Sequence, residues 1–415
     1  MKKVLFLTTR SIYPVNDGRK VVLYNYCKGL VEKHNCEVRL FVIEDENELG
    51  TKPDFISNIY SVNTPNKFEK MKNLLIKSTF FKWPLQVSLY YSKKIKENLE
   101  EVLEEYNPDI IICDMVRTSE YAKNLDCLKY KKILDMDDIL SKRYRRQAEN
   151  GSLNINAIGA YQSKLPKFIN NILSMKFIMK YILEKEANLL SEYEIRIASY
   201  YDSIIFVSEI EKKEFNKKLG KKKSEDITIG VDYKFFSERK CSEKKEFYIG
   251  FLGNMYVAHN KDAVSKFIND IFPKILNVIP GAKFRIIGKC PKEYKEALST
   301  FNIELTGEVD DIRKYVQECS VMVAPLIYGS GIKTKILETM AMGVPVVTNS
   351  IGAEGINAKN GVDFYVEDDD TSFSQKIILL MKDKKLNNEM ANNGKKFVLS
   401  NHLWDDILEK FKCLL

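Results

Sequence analysis

The stretch Gly329-Ser-Gly-Ile-Lys-Thr-Lys-Ile-Leu-Glu338-Thr-Met-Ala-Met-Gly343-Val-Pro-Val-Val347 decides how this chain is read. It follows a short apolar run, 321–325, that reads as a buried strand. Gly329 and Gly331 permit a tight turn and let a ligand approach the backbone closely. The helix predicted over 332–342 then opens with free N–H groups and the positive end of its dipole, which suits a phosphate. Lys333 and Lys335 add formal charge at that end. Glu338 lies one to two turns in, where its carboxylate can accept from two neighbouring ribose hydroxyls. Gly343 suits the position just past a helix, and Pro345 opens the strand predicted over 344–348. The plainer reading is an ordinary strand–loop–helix with lysines facing water. The loop is not a Walker A loop, and no G-x-G-x-x-G follows the first strand.

Outward from this stretch, short apolar runs alternate with helical patterns. Strands are predicted at 4–8, 38–43, 56–62, 109–113, 132–134 and 203–207. A helix over 21–33 puts Val22, Tyr26 and Leu30 on one face. The pattern restarts after the charged stretch 239–246, with strands at 247–252, 283–288 and 303–307 and a helix at 262–278. Such alternation predicts an α/β chain of βαβ units with parallel sheets covered on both faces. Its two halves predict two Rossmann-like, doubly wound domains: 1–240, then 241–399, with 400–415 returning to the first. Ligands of such sheets bind at the carboxyl ends of strands, so the expected site is a cleft between the domains. The segment 151–199 breaks the alternation. Lys164, Lys167, Lys176 and Lys180 lie there among Phe168, Ile172, Phe177 and Ile182. It reads either as helices packed on the first domain or as an interfacial surface for anionic membrane.

The chain has 415 residues, and at roughly 100–200 residues per domain that allows two or three domains. With 45% hydrophobic and 29% charged residues it can bury real cores, which excludes disorder as its main character. A net charge of +8 without a concentrated basic stripe argues against nucleic acid as a partner. The eight cysteines form no C-x-x-C, and no His pair follows, so no metal site is expected. Most lie in apolar stretches, as buried free thiols of a reducing compartment do. The apolar run after Met1 is too short for a signal peptide, and no stretch has the ~20 apolar residues of a spanning helix. The expected location is cytoplasmic, with peripheral contact at the inner membrane face an open extension.

The quoted stretch resembles the nucleotide-sugar site of GT-B glycosyltransferases of the family-4, or group 1, type. Gly250-Phe-Leu-Gly-Asn254 with Asn260-Lys-Asp-Ala263 is similar to that family's first strand and loop in the C-terminal domain. Phe284-Arg-Ile-Ile-Gly288 resembles its second strand. Leu305-Thr-Gly-Glu-Val-Asp-Asp311 resembles its G-x-V-x-D turn near the base. Phe206-Val-Ser-Glu209 and Ile229-Gly-Val-Asp232 resemble its linking elements. The resemblance implies transfer of a sugar from a nucleoside diphosphate sugar, with no cofactor and no metal, and with retention of configuration. It places ribose binding on Glu338 and diphosphate binding on Gly331, Ile332, Lys333 and Lys335. It extends the donor site to Gly253, Asn254, Lys261, Gly288, Gly307, Val309 and Ser330, and His259, in the loop beside Asn260, is placed to contact the diphosphate. Stabilising the leaving diphosphate would make Lys335 catalytic as well.

The chain departs from the family pattern in four places. Ser330 stands eight positions before Glu338, where many members carry a second acid. Asn254 stands where many carry Arg, with Lys261 as the nearest substitute for the Lys that follows. Ile229 replaces a common Asn. No His lies in 110–138, where many members have one.

Acceptor-side candidates come from the first domain. Asp17, Gly18 and Arg19 follow the first strand, and Asp114 and Arg117 follow the strand 109–113. Asp135, Asp137 and Asp138 follow the strand 132–134. One of these acids can orient or deprotonate an acceptor hydroxyl, while Asp138 or Ser141 can equally cap the next helix. Asp310 and Asp311 are expected to cap the helix starting at Ile312. The expected acceptor is a glycan or lipid-linked glycan in cell-surface polysaccharide synthesis. The rivals are a nucleotide-sugar epimerase of the same fold and a non-catalytic partner that only binds glycan or a second transferase.

Overall fold

The computed structural model describes residues 1–15, 17–78, 80–149, 176–240, 243–300, 302–329 and 331–415. The chain divides into two compact units.

The first unit comprises Met1–Arg145, Ile182–Ile229 and Trp404–Leu415. Its strands are β1 (Lys2–Thr8), β2 (Cys36–Ile43), β3 (Asn58–Val62), β4 (Ile110–Asp114), β5 (Lys131–Asp137), β6 (Ser203–Phe206) and β7 (Ser224–Asp226). They form one sheet in the order β3-β2-β1-β4-β5-β6-β7, and every pairing is parallel. Val4, Leu5, Phe6 and Leu7 are wholly buried in succession, as befits a central strand covered on both faces. β5 runs three residues beyond the predicted end at Leu134. Its pairing with β6 shifts between Asp135 and Asp137, and Asp137 has φ +65°. This bulge re-aims the last carboxyl of the strand.

The chain's last segment packs within this unit. Phe411 is buried edge-on to Tyr26 at 5.0 Å, and the His34 ring nitrogen Nε2 lies 2.7 Å from the carbonyl oxygen of Leu408.

The second unit comprises Gly230–Leu403 and described residues of 146–181. Its strands are β8 (Tyr248–Leu252), β9 (Lys283–Ile287), β10 (Ile303–Gly307), β11 (Val321–Ala324), β12 (Val346–Thr348) and β13 (Tyr365–Val366). They form a parallel sheet in the order β10-β9-β8-β11-β12-β13. Phe267, Phe272 and Phe284 centre one core, with the Phe267 and Phe284 rings 4.4 Å apart. Leu252, Ile287, Val316 and Met322 belong to a second core cluster.

Three expectations need correction. The chain enters the second unit at Gly230, not after residue 240. Val231 already donates to the His402 carbonyl at 2.8 Å and bridges Leu403, ahead of the polar stretch. The return to the first unit falls at Trp404, not 400. The helix expected over 262–278 is three pieces: Ala258–Lys266, a π-helical Phe267–Ile271 and Phe272–Leu276. Pro273 lacks the N–H that an unbroken helix would use there.

Lys164 and Lys167 lie outside the described residues. Lys176 and Lys180 sit on one helix, Lys176–Ala198. Among the described residues no helix is long and apolar enough to cross a membrane.

Candidate functional site

In the second unit β11 leads into the loop before the helix Thr334–Ala341. Gly329 and Gly331 have φ +153° and +65°, which explains why glycine stands at both. The helix starts two residues later than predicted, because Lys333 is its extended N-cap. No side chain caps the end, so the first N–H groups stay available to a ligand. Lys333 turns back and donates from Nζ to the Gly331 carbonyl at 2.6 Å. Ile332 is buried. Ser330 lies outside the described residues.

Lys335 and Glu338 share one side of this helix. Lys335 Nζ donates to Asn260 Oδ1 at 2.8 Å and lies 4.3 Å from the centre of the Phe251 ring. Burial, with Lys333 nearby, lowers its pKa to about 7, against the pull of Glu338. Burial raises Glu338 to about 7, opposed by Lys335. Both groups are therefore poised, and an entering anion would fix the lysine in its charged form.

The neighbouring strand ends press close to this helix start. Gly253 follows β8, and a Cβ there would lie 2.9 Å from the Asn260 side chain. Gly288 follows β9 at φ +131°, and a Cβ on it would fall 2.4 Å from the Gly253 carbonyl oxygen. Asn260 Nδ2 donates to the Asn254 carbonyl at 3.0 Å, so one amide links Asn254 to Lys335. Asn254 itself is exposed and its Oδ1 accepts from the Tyr256 N–H at 2.8 Å. His259 stands edge-on to Tyr328 at 6.3 Å, and Tyr328 donates to Asp262 at 2.9 Å. Lys261 lies over the Tyr294 ring at 5.6 Å. Gly307 (φ +76°) ends β10. Val309 packs on the second core cluster. Asp311 caps the next helix, accepting from Arg313 N–H at 2.9 Å.

The first unit gathers a second group of charges. Arg19 donates from Nη2 to Asp114 Oδ1 at 2.6 Å and to Asp135 Oδ2 at 2.7 Å, and from Nη1 to Asp137 Oδ1 at 2.8 Å. The arginine side chain is 8% exposed, Asp114 and Asp135 are 0% exposed and Asp137 is 19% exposed. One guanidinium shared by two buried acids and a partly exposed third cannot neutralise them all. Burial, with Asp114 and Asp137 alongside, accordingly raises Asp135 to about 6 despite Arg19. Burial also raises Asp137, against Arg19. At Asp114 burial works upward too, but Arg19 and Arg10 outweigh it and hold the pKa below the usual carboxylate value.

Other acceptor-side candidates have local tasks. Asp17 caps the helix Gly18–Glu32, accepting from the Lys20 N–H at 2.9 Å, and Gly18 is its first residue. Arg117 reaches the Met115 sulfur at 3.0 Å and lies 5.3 Å from the Tyr90 ring centre. Asp138 differs from the expectation. It is buried against Arg143, which donates from Nε at 3.0 Å. Glu211 accepts from the Ile139 N–H and Glu194 from the Ser141 N–H. Both acids are ion-paired, but Asp138 is 1% exposed and Asp137 19%, so Asp137 is the better candidate to meet a substrate.

Asn260 belongs to the cluster around Lys335 and Asp135 to the one around Arg19; the sequence shows Asn260 within a motif but gives it no role of its own, while Asp135 is one of the three acids it offers. Among the described residues no group of three or more His, Cys, Asp or Glu is arranged to hold a metal ion.

Residues 246–383 match the family model described as glycosyl transferases group 1. The chain carries a group 1 glycosyltransferase domain. That domain includes β8, the two-glycine turn, Lys335 and Glu338. Anabaena HepE in complex with UDP-glucose is similar over 100% of this chain and 99% of its own, at 12% identity and TM-score 0.65. Sucrose-phosphate synthase from Thermosynechococcus elongatus is similar over 100% and 98%, at 12% identity and TM-score 0.67. These likenesses show the GT-B fold. A relative from Klebsiella pneumoniae, described as an uncharacterized 44.6 kDa protein in the cps region, is 22% identical over 97% of each chain. The chemistry of the group 1 domain is glycosyl transfer.

Proposed function

We propose that this glycosyltransferase moves a sugar from a nucleoside diphosphate sugar to a glycan or lipid-linked glycan acceptor, with retention and without a metal, in cell-surface polysaccharide synthesis. The observation that carries the reading is the pairing of Lys335 and Glu338 on one helix behind the Gly329–Gly331 turn. HepE, of the same fold, binds UDP-glucose, which makes a UDP-sugar the first donor to try. The relative's place in a cps region supports the polysaccharide assignment.

In this reading Glu338 accepts from the ribose hydroxyls. Free N–H groups at the helix start, with Lys333 and Lys335, hold the diphosphate, and their fixed positive charge does the work a metal would otherwise do. The bond from the anomeric carbon to the β-phosphate oxygen breaks, and its electron pair leaves with the diphosphate. The acceptor oxygen bonds to the same face of that carbon. Its proton passes to the departing diphosphate oxygen, while Asp137 orients the hydroxyl. The test is a mass-spectrometric screen of nucleotide sugars, reading slow hydrolysis, with titration of UDP by calorimetry beside it. A released sugar and a nucleoside diphosphate identify the donor. An epimerised donor would point to the epimerase, and a chain that binds no nucleoside diphosphate would not be this transferase.

A further inference from the structure

Six of the twenty exposed large hydrophobic side chains among the described residues lie between Phe68 and Phe81. Phe68 is 79% exposed, Met71 60%, Leu75 67%, Phe80 78% and Phe81 62%. They belong to the helix Lys67–Asn73, the π-helical turn Leu74–Ser78 and the residues that follow. Phe68, Met71 and Leu75 stand at i, i+3 and i+7, which makes one apolar stripe along the element. In a soluble chain such a stripe normally faces a core.

The opposite side is what holds this element to the first unit. Asn73 is buried and donates to the Tyr91 carbonyl at 2.7 Å. The Lys77 ammonium sits 3.5 Å from the Tyr91 ring centre and 4.2 Å from that of Trp83. The element is thus anchored by its polar residues with its apolar side outward, the reverse of the usual order.

Residues 67–83 hold five lysines and one acid, Glu69. Lys67, Lys72 and Lys82 are exposed among the apolar side chains. A second copy of the chain would bring a like-charged rim against this one, which disfavours self-association. An anionic bilayer surface satisfies both features, since phenyl rings enter the acyl boundary while lysines stay among the headgroups.

We propose that residues 67–78 and 80–82 form a docking surface for anionic lipid membrane. The surface uses none of the residues of the basic–apolar segment 164–183 and none of the donor-site residues. Its test reads lipid binding alone, so a failure of the donor assignment leaves it intact.

The full chain is sedimented with vesicles of phosphatidylcholine alone and of phosphatidylcholine mixed with phosphatidylglycerol. The wild type is expected to pellet with the mixed vesicles and to stay in solution with the neutral ones. The variant F68S/F80S/F81S, altered only at exposed positions, should partition at least about tenfold more weakly, since little apolar area remains to insert. The variant K67Q/K72Q/K82Q should lose roughly fivefold or more, and added salt should mimic that loss. Equal behaviour of the wild type on both vesicle types would overturn the proposal, as would undiminished pelleting of the phenylalanine variant. Sedimentation velocity supplies the remaining outcome. A wild-type dimer that the phenylalanine variant dissolves, without lipid binding, would assign the patch to a second copy and overturn it too.

Discussion

Lys335 and Glu338 stand three residues apart on one helix, whereas Arg19 and Asp137 are 118 residues apart and meet only because β1, β4 and β5 lie side by side. Both clusters place opposite charges where burial opposes ionisation. They differ in how the charges are balanced. On the helix one lysine and one glutamate stand three residues apart, and burial brings both pKa values to about 7. Around Arg19 one cation serves three acids, and the excess is absorbed by raising Asp135 to about 6. The first arrangement suits an exchange of ligands, since an arriving diphosphate re-pairs the lysine. The second suits rigidity, since Arg19 ties the end of β4 to the end of β5 and fixes where Asp137 points.

Changes that unbalance each cluster separate these roles. The largest effect is expected at Arg19. The substitution Arg19→Ala removes the cation that the buried Asp114 and Asp135 share with the partly exposed Asp137, at a cost of about 3–5 kcal/mol. Urea unfolding measures it. The cost should shrink on acidification, because Asp135, raised in the folded chain, takes up its proton as the pH falls through about 6. An equal loss at about pH 5 and about pH 8 would mean the arginine acts by packing rather than by charge.

Asp137→Ala comes next. Stability should change much less than at Arg19, since Asp137 is the most exposed of the three acids. Turnover should fall about hundredfold through misplacement of the acceptor, while UDP affinity is unchanged. Steady-state kinetics beside calorimetry reads both.

Glu338→Ala should show the complementary pattern. Two hydrogen bonds to a charged acceptor are lost, and UDP should bind roughly 30- to 100-fold more weakly, with the melting temperature little altered. A variant that binds UDP like wild type would remove the ribose role.

The smallest effect is the pH profile of donor binding. Binding wants Lys335 charged and Glu338 ionised. Both pKa values are about 7 in the free protein, so affinity should peak near neutrality and fall about tenfold per pH unit well beyond it on either side. Lys335→Arg, always charged, should flatten the alkaline limb and leave the acid limb in place. Calorimetry across the pH range tests the two limbs independently.

Much of the donor helix is legible in the amino-acid sequence. Two glycines, a helix start, two lysines and an acid are local features, and a helix repeats every 3.6 residues whatever surrounds it. The order of motifs is legible in the same way, as are the two parallel sheets. The acid cluster is legible only in part. Asp114, Asp137 and Arg19 each follow a strand and so qualify singly, but nothing in their spacing says that one arginine holds all of them. Asp138 looks equivalent to Asp137 in the sequence. A bulge at the end of β5 sends them different ways, one to Arg19 and one to Arg143.

The exposed stripe at Phe68, Met71 and Leu75 has the same limit. Periodicity marks an apolar face, and only the fold reveals whether that face is covered.

Sequence alone therefore settles what short-range geometry controls: the order and type of most strands and helices, and where glycine must stand. The folded arrangement settles what depends on distant segments coming together: which carboxylate is balanced, which is buried, and which apolar face is left to the outside. The physical reason is range. Backbone sterics and hydrogen bonding act within a few residues, whereas burial and charge balance are properties of a place in the fold that several segments share.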